Sequence, residues 1–279
     1  MVLETTIRPR PPYSLALSAR LRSDPTRRLR DGVLTLALEA GGEPALARVR
    51  QRPDGSLAVA VEAAAPEDAL ERIRFVLAAD ADHASFLHRF AEDRLLGRAV
   101  QHLRGLRPLR TATVTHALLK AVCGQLIQAS AARALEARLL RALGTPLGDL
   151  VLPPNRATFA GLAPAQLARL GLVARKANAL VRLSREWDVE RLRTVETHAA
   201  VARIQRERGL GPWSAGMMCL YGLGRYEHGL VGDLGLIKLC ASLLGRRAEP
   251  EDTSRLLEPY GEWAGLASVY LLAGPVRTI

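Results

Sequence analysis

The amino-acid sequence predicts a mainly α-helical protein, in which a small N-terminal antiparallel α+β domain precedes a larger all-helical domain. Short apolar runs of strand character lie between residues 13 and 62. From residue 114 onward the apolar residues recur at helical spacing, and proline and glycine separate the segments. We therefore predict an α+β domain over residues 1–110 and a helical domain over residues 111–279, with the boundary near residues 105–113.

The predicted N-terminal domain contains a β-hairpin followed by a helix. Residues 33–38 and 57–61 are apolar runs, and Pro53-Asp54-Gly55 is a turn signal just before the second run. Pro66, followed by two acidic residues, suits the first turn of a helix. The first ten residues show neither pattern, and we expect them to form an unstructured tail.

The predicted second domain consists of helices alone. Its segments of helical period are residues 115–143, 164–170, 175–187, 198–206, 212–223, 234–244 and 255–272.

Composition excludes several classes of protein. No apolar stretch approaches the eighteen residues of a membrane span, and the first residues lack the layout of a signal peptide, so we expect a cytoplasmic protein without membrane contact. The odd count of three widely spaced cysteines, Cys123, Cys219 and Cys240, argues against a disulfide framework, a zinc site or a four-cysteine iron–sulfur cluster. We interpret these cysteines as buried small hydrophobic residues.

The formal net charge of +11 favours a polyanionic partner, and nucleic acid is the usual one. Only three of the 39 basic residues are lysine, namely Lys120, Lys176 and Lys238. This arginine bias is also typical of GC-rich codon usage, so it can reflect mutational drift. The excess of positive charge itself still requires an explanation.

The most informative segment is Gly209-Leu210-Gly211-Pro212, which joins two predicted helices. Gly209 suits a helix end and Pro212 suits the first turn of the next helix. The glycines expose consecutive N–H groups beside a helix N-terminus, which is an arrangement that binds phosphate. An ordinary interhelical turn is the alternative. A dinucleotide site is disfavoured because the third glycine and a preceding strand are absent.

Three further segments extend this pattern. Residues 230–238 place Asp233 at the start of a helix, one helix and one loop after the hairpin. Residues 118–127 contain the pair Gly124-Gln125, and residues 170–177 contain a Gly-Leu pair followed by Lys-Ala. In order and spacing, residues 112–245 resemble the helix–hairpin–helix DNA glycosylase superfamily, specifically its 3-methyladenine (alkylated-base) glycosylase II branch.

The resemblance implies a monofunctional DNA glycosylase that hydrolyses damaged, alkylated purines from double-stranded DNA after base flipping. Asp233 would be the catalytic carboxylate that stabilises positive charge on the sugar, and helix N-terminal N–H groups would keep it ionised. From the residues alone, Asp233 would be an N-cap, and the two roles can hold together. Trp213 stands where bifunctional relatives carry the lysine that forms a Schiff base, so we expect direct hydrolysis. The Trp213 indole could stack on a cationic base or pack in the core.

The resemblance also assigns residues that contact DNA. Leu126, after Gln125, would be the wedge that fills the gap left by the flipped base, although a buried helix position is the alternative. Backbone N–H groups of the hairpin would hold a phosphate, and carbonyls near the hairpin could bind a monovalent cation; no iron–sulfur cluster is expected. The DNA-binding set is Gln125, Leu126, Gly209, Leu210, Gly211, Trp213 and Ser214, and the cation set is Gln205, Glu207 and Leu210.

The expected base pocket is formed by Trp213, Met217, Tyr270 and Leu272. It holds fewer aromatic residues than is usual in the family, and Gly232 replaces the first of two consecutive acids that often precede the helix. A catalytically weak or inactive DNA-binding protein, or a glycosylase for deaminated or oxidised bases, therefore remains an alternative. We expect a monomer.

Overall fold

The computed structural model describes residues 2–20 and 24–274 of the chain. It is a mainly α-helical protein with a small antiparallel sheet, as the sequence predicted. The strands are β1 (Val2–Ile7), β2 (Arg27–Arg30), β3 (Val33–Ala40), β4 (Glu43–Gln51), β5 (Leu57–Ala63), β6 (Thr145–Leu147) and β7 (Leu150–Leu152).

The helices of the first part of the chain are α1 (Leu15–Arg20), α2 (Pro66–Val76), α3 (Ala84–Arg89), α4 (Gly97–His102), α5 (Val114–Gly124), α6 (Ala129–Leu143) and α7 (Arg156–Gly161). The later helices are α8 (Pro164–Arg169), α9 (Ala174–Glu186), α10 (Thr197–Gln205), α11 (Pro212–Met217), α12 (Leu234–Leu244), α13 (Pro250–Leu257) and α14 (Ala264–Ala273). A π-helical segment, Met218–Leu223, continues α11, and 3₁₀ turns cover Val189–Thr194 and Glu258–Trp263.

The five-stranded sheet has the order β1-β5-β4-β3-β2, and all its pairs are antiparallel. In the centre of the sheet, Val49 pairs with Leu34 on one side and with Val59 on the other. These three paired residues are buried beneath α2, which contributes Ile73. The sheet and α2 therefore share one apolar core.

Helix α5 lies in the core of the helical region. Its residues from Val114 to Cys123 are all buried, including the polar side chains of Thr115, His116 and Lys120. It is packed against α6, α9, α11 and the π-helical segment. Its C-terminal end carries Gln125 and Leu126 into the loop before α6, so the fold positions this loop beside the hairpin between α10 and α11.

Several sequence predictions are wrong in detail. The expected N-terminal tail contains β1, which completes the edge of the sheet by pairing with β5. The single helix predicted over residues 115–143 is two helices, α5 and α6, interrupted at residues 125–128. The two-stranded sheet of β6 and β7 lies in a region where only helices were expected. The two predicted domains stay a prediction.

Two other findings concern the whole described chain. All three cysteines are buried, as the sequence indicated. Among residues 2–20 and 24–274, no helix is both long enough and apolar enough to cross a bilayer.

Candidate active site and DNA interface

Asp233 lies at the start of α12, where its backbone is extended and its side chain caps the helix. Its Oδ1 accepts hydrogen bonds from the backbone N–H of Gly235 at 2.8 Å and of Leu236 at 3.4 Å. Its Oδ2 accepts a hydrogen bond from the indole Nε1–H of Trp213 at 2.9 Å. The carboxylate is half-buried, so it is held from two directions and still reaches solvent. The N-cap prediction is therefore confirmed, and it is compatible with a catalytic role.

Trp213 lies in the first turn of α11 and is half-buried against the C-terminal end of α5. Gly124 lies directly beneath the indole, because a Cβ atom built on Gly124 would be only 2.5 Å from Trp213 Cη2. The residue type at position 124 thus decides where the indole can lie. Helices α11 and α12 are joined by the hydrogen bond between Trp213 and Asp233.

The hairpin between α10 and α11 has the geometry of a phosphate-binding loop. Gly209 adopts a φ of +97°, which residues with side chains rarely adopt. The backbone N–H groups of Gly209, Gly211 and Trp213 donate to no acceptor within the described residues. Leu210 is buried beneath the turn, and its N–H donates to the Glu207 carbonyl at 3.0 Å. Unbonded N–H groups beside a helix start favour an anion.

Two arginines brace the base of the hairpin through Glu207. Arg182 of α9 lies 3.2 Å from Glu207 Oε2 and also donates to the Arg208 carbonyl, and Arg203 of α10 pairs with Glu207 Oε1. Burial opposes ionisation of Glu207, but the hydrogen bonds from both guanidinium groups hold its pKa below the usual value. The turn is therefore fixed by side chains on its inner side.

Gln125 joins the loop after α5 to the hairpin. Its Nε2 donates to the Gly209 carbonyl at 2.6 Å and to Ser214 Oγ at 3.0 Å. The ammonium of Lys176 donates to the Gln125 carbonyl at 2.7 Å, and burial lowers the Lys176 pKa. Next in sequence, Leu126 has a φ of +58° and a side chain that is 80% exposed. The alternative of a buried helix position for Leu126 is therefore wrong.

The expected pocket residues do not all lie together. Leu272 is 43% exposed and covers the start of α12, since a Cβ atom on Gly235 would be 2.5 Å from its Cδ2. Met217 is nearly buried, one turn after Trp213. Tyr270 is fully buried, and its hydroxyl donates to the carbonyls of Leu103 and Leu106.

The assignment of Tyr270 to an open pocket is therefore wrong. Residues two apart on a helix point to nearly opposite sides, so Tyr270 and Leu272 of α14 cannot both face the same pocket. The sequence also did not identify Gly124 as the residue against which the Trp213 indole packs. The Gly-Gln pair at residues 124–125 was the available signal, but its importance depends on a contact 89 residues away in sequence.

The carbonyls expected to bind a cation are partly available. The Gln205 and Leu210 carbonyls accept no hydrogen bond from the described residues, and that of Glu207 accepts one. No group of three or more His, Cys, Asp or Glu side chains in the described chain could hold a metal ion.

Comparison with known proteins gives relatives in both sequence and structure. The chain is 26% identical to a DNA-3-methyladenine glycosylase of Bacillus subtilis over 204 residues, which are 69% of this chain and 67% of that protein. It is 27% identical over 208 residues to a probable bifunctional transcriptional activator/DNA repair enzyme AlkA of Mycobacterium tuberculosis. That match covers 73% of this chain but only 42% of the mycobacterial protein. Comparison with protein-family models finds no match.

Solved structures show the fold over nearly the whole chain. A 3-methyladenine DNA-glycosylase from Archaeoglobus fulgidus superposes with a TM-score of 0.81 at 18% identity, covering 97% of each chain. An 8-oxoguanine glycosylase/lyase from Clostridium acetobutylicum, in complex with double-stranded DNA, gives 0.77 at 16% identity, covering 98% of this chain and 96% of that one. The chain is therefore similar in fold to a 3-methyladenine DNA-glycosylase over nearly its whole length, and similar in sequence to a DNA-3-methyladenine glycosylase and to a probable AlkA repair enzyme.

Proposed function

We propose that this protein is a DNA glycosylase that removes alkylated purines from double-stranded DNA as the first step of base excision repair. The observation that carries the proposal is the half-exposed Asp233 carboxylate, fixed at the start of α12 and hydrogen-bonded to Trp213 beside the hairpin. The sequence relatives named as 3-methyladenine glycosylases support alkylated purines as the substrate class.

The chemistry suits an anionic group and needs no acid. Alkylation at a purine ring nitrogen gives the base a positive charge, so the base can leave as a neutral molecule. The C1′–N bond breaks, its electron pair goes to the base, and the sugar acquires oxocarbenium character. Asp233 would stabilise that charge and accept the proton of the water that bonds to C1′. The products are the free base and an abasic site.

We propose hydrolysis without a covalent intermediate because the lysines are poorly placed as nucleophiles. The Lys120 ammonium is buried and bonded to Glu136, and the Lys176 ammonium is bonded to the Gln125 carbonyl. Lys238 is exposed on α12, five residues after Asp233. Because the other two lysines are buried, Lys238 is the remaining candidate for a nucleophile. Trp213 cannot attack the sugar.

The DNA would be held by the hairpin and opened by Leu126. The unbonded N–H groups of Gly209 and Gly211 would bind a backbone phosphate, and the exposed Leu126 side chain would fill the space of the flipped base. The free carbonyls of Gln205 and Leu210, with that of Glu207, have the neutral oxygen chemistry that suits a monovalent cation. Such an ion would offset phosphate charge at the hairpin.

A base-release assay tests the proposed activity. Duplexes that contain a methylated purine, 8-oxoguanine or uracil are incubated with excess protein, and the released base is separated and quantified. We expect release from the methylated duplex at a rate well above the spontaneous one. Release of 8-oxoguanine or uracil alone would assign another substrate class, and no release from any duplex would contradict the enzyme assignment.

A borohydride-trapping experiment tests the hydrolytic mechanism. Without an amine attack on C1′ there is no imine to reduce, so we expect no covalent complex and strands that break only after alkali treatment. Lys238→Ala is the matched variant. A trapped complex that disappears in this variant would make Lys238 the nucleophile and would contradict direct hydrolysis.

A further inference from the structure

We infer that Trp213 is a positioning residue, whose indole N–H fixes the orientation of the Asp233 carboxylate. This inference rests on the proposed function and assigns Trp213 a role distinct from stacking on the base. A stacking role needs only an aromatic face, whereas the structure shows a directed hydrogen bond from the ring nitrogen. The two roles are separable by experiment, because phenylalanine supplies a face but no donor.

The carboxylate of Asp233 has a different partner on each oxygen. Oδ1 is bound by the N–H groups at the start of α12, and Oδ2 is bound by Trp213 Nε1 at 2.9 Å. Rotation of the carboxylate about its Cβ–Cγ bond would break one set of bonds or the other. Removal of the indole N–H would leave Oδ2 without that donor, and the carboxylate could then turn about its helix cap. A reacting sugar requires the charge in one place, so this freedom should slow catalysis.

The indole is itself held by the end of α5. Gly124 leaves the space that the Cη2 edge of Trp213 occupies, and a methyl group there would approach Cη2 to 2.5 Å. Gln125 donates to Ser214 Oγ, next to Trp213 in sequence. Thus the end of α5 sets the position of α11, and α11 sets the orientation of Asp233. The residue at position 124 should therefore affect catalysis without contacting Asp233.

The first test separates the rate of base release from DNA affinity. For Trp213→Phe we expect a single-turnover rate about tenfold or more below wild type, with a duplex Kd within about twofold, since the lost donor acts on the reacting carboxylate. Trp263→Phe, just before α14, where the ring packs against Phe86 and Tyr226, is the control and should leave both quantities unchanged.

The second test moves the indole without changing either hydrogen-bonding partner. Gly124→Ala should reproduce the slow rate of Trp213→Phe, again with a duplex Kd within about twofold of wild type. Gly161→Ala is the matched control, because a Cβ atom on Gly161 meets no atom within 4 Å. Wild-type rates for both Trp213→Phe and Gly124→Ala would overturn the inference.

The third test detects the hydrogen bond without any catalytic measurement. The chain has three tryptophans, so its proton–nitrogen NMR spectrum should show three indole signals, and the one missing in Trp213→Phe belongs to Trp213. We expect that signal to move upfield in Asp233→Ala while the other two remain. An unmoved signal would overturn the inference. Failure of base release by the wild-type protein would instead overturn the proposed function, and the NMR result would still decide the hydrogen bond.

Discussion

At the scale of single residues, Leu126 adopts a backbone conformation and a solvent exposure that packing does not explain. A β-carbon-bearing residue at a φ of +58° is strained, and an apolar side chain that is 80% exposed gains no burial in return. The hydrogen bonds of Gln125 and Lys176 on its N-terminal side hold this conformation. Such a strained, projecting apolar residue fits an insertion into a base stack.

Truncation of this side chain should impair base flipping and not folding. For Leu126→Ala we expect a single-turnover rate about tenfold below wild type, because the alanine cannot fill the gap in the stack, and unstacking costs a few kcal/mol. The thermal midpoint should be unchanged, since the side chain is already exposed. Leu244→Ala, an exposed leucine at the end of α12, is the control. Equal rates for the two variants would contradict the proposal that Leu126 fills the gap left by the flipped base.

The sequence anticipated the exposure of Leu126 through the family resemblance, but it did not anticipate the left-handed backbone there. No glycine or proline marks residues 125–128, so the helical pattern ran on through the break between α5 and α6. The prediction that Tyr270 lines the base pocket was wrong for a different reason. Position in a motif says nothing about which side of α14 faces the core, and its hydroxyl is satisfied by two carbonyls far away in sequence.

At the scale of elements, α5 and α6 are joined by a buried ion pair, close to the loop of residues 125–128 that connects them. The Lys120 ammonium contacts Glu136 Oε1 and Oε2 at 2.6 and 2.7 Å, and His116 Nε2 lies 3.1 Å from Oε1. Burial opposes ionisation of Glu136, but Lys120 and His116 hold its pKa well below the usual value. Lys120 is one of only three lysines among the 39 basic residues of the chain, and its compact ammonium is buried against Glu136.

Loss of the negative charge should destabilise the protein. Glu136→Gln leaves the Lys120 ammonium buried without its partner, and removing one member of a buried pair costs about 3–5 kcal/mol. Urea unfolding at neutral pH measures this loss. Glu262→Gln removes an exposed pair with Arg89 and should have little effect.

The pH dependence of this contribution has a definite sign. Because the folded pKa of Glu136 is lowered, its contribution is complete above the usual carboxyl pKa and is lost as the pH falls below it. The difference between wild type and Glu136→Gln should therefore shrink in acid. A difference that stays constant to low pH would contradict the ion pair.

The strands show which elements a sequence pattern can predict. Strands β3 and β5 were predictable because each contains an apolar run and a turn signal precedes β5. Strand β1 was missed because it lies at the sheet edge, only Ile7 is buried, and its partner β5 begins 50 residues later. Strands β6 and β7 have three residues each, too few to show a period.

At the scale of the whole molecule, the positive charge has to be distinguished from codon bias. Three exposed arginines lie close to the candidate DNA interface in sequence. Arg206 and Arg208 lie on either side of Glu207 in the hairpin, and Arg175 precedes Lys176. If the net charge of +11 serves DNA binding, the logarithm of the affinity should fall linearly with that of the salt concentration, because each bound phosphate releases counterions.

Titration of an undamaged duplex at several salt concentrations measures this slope. We expect a steep slope that becomes shallower by about one unit in Arg208→Ala. Arg30→Ala, on the exposed edge of the sheet, is the control and should not change it. A flat profile for the wild-type protein would indicate that the charge reflects codon usage.

The most direct test of the account is base release by Asp233→Asn. The substitution keeps the size of the side chain and an oxygen for the cap of α12, but it removes the negative charge and the acceptor of the Trp213 Nε1–H. With a methylated duplex in single-turnover conditions, we expect the rate to fall at least 100-fold, while duplex affinity stays within about twofold of wild type. A rate within a few-fold of wild type would contradict the assignment of Asp233 as the catalytic carboxylate.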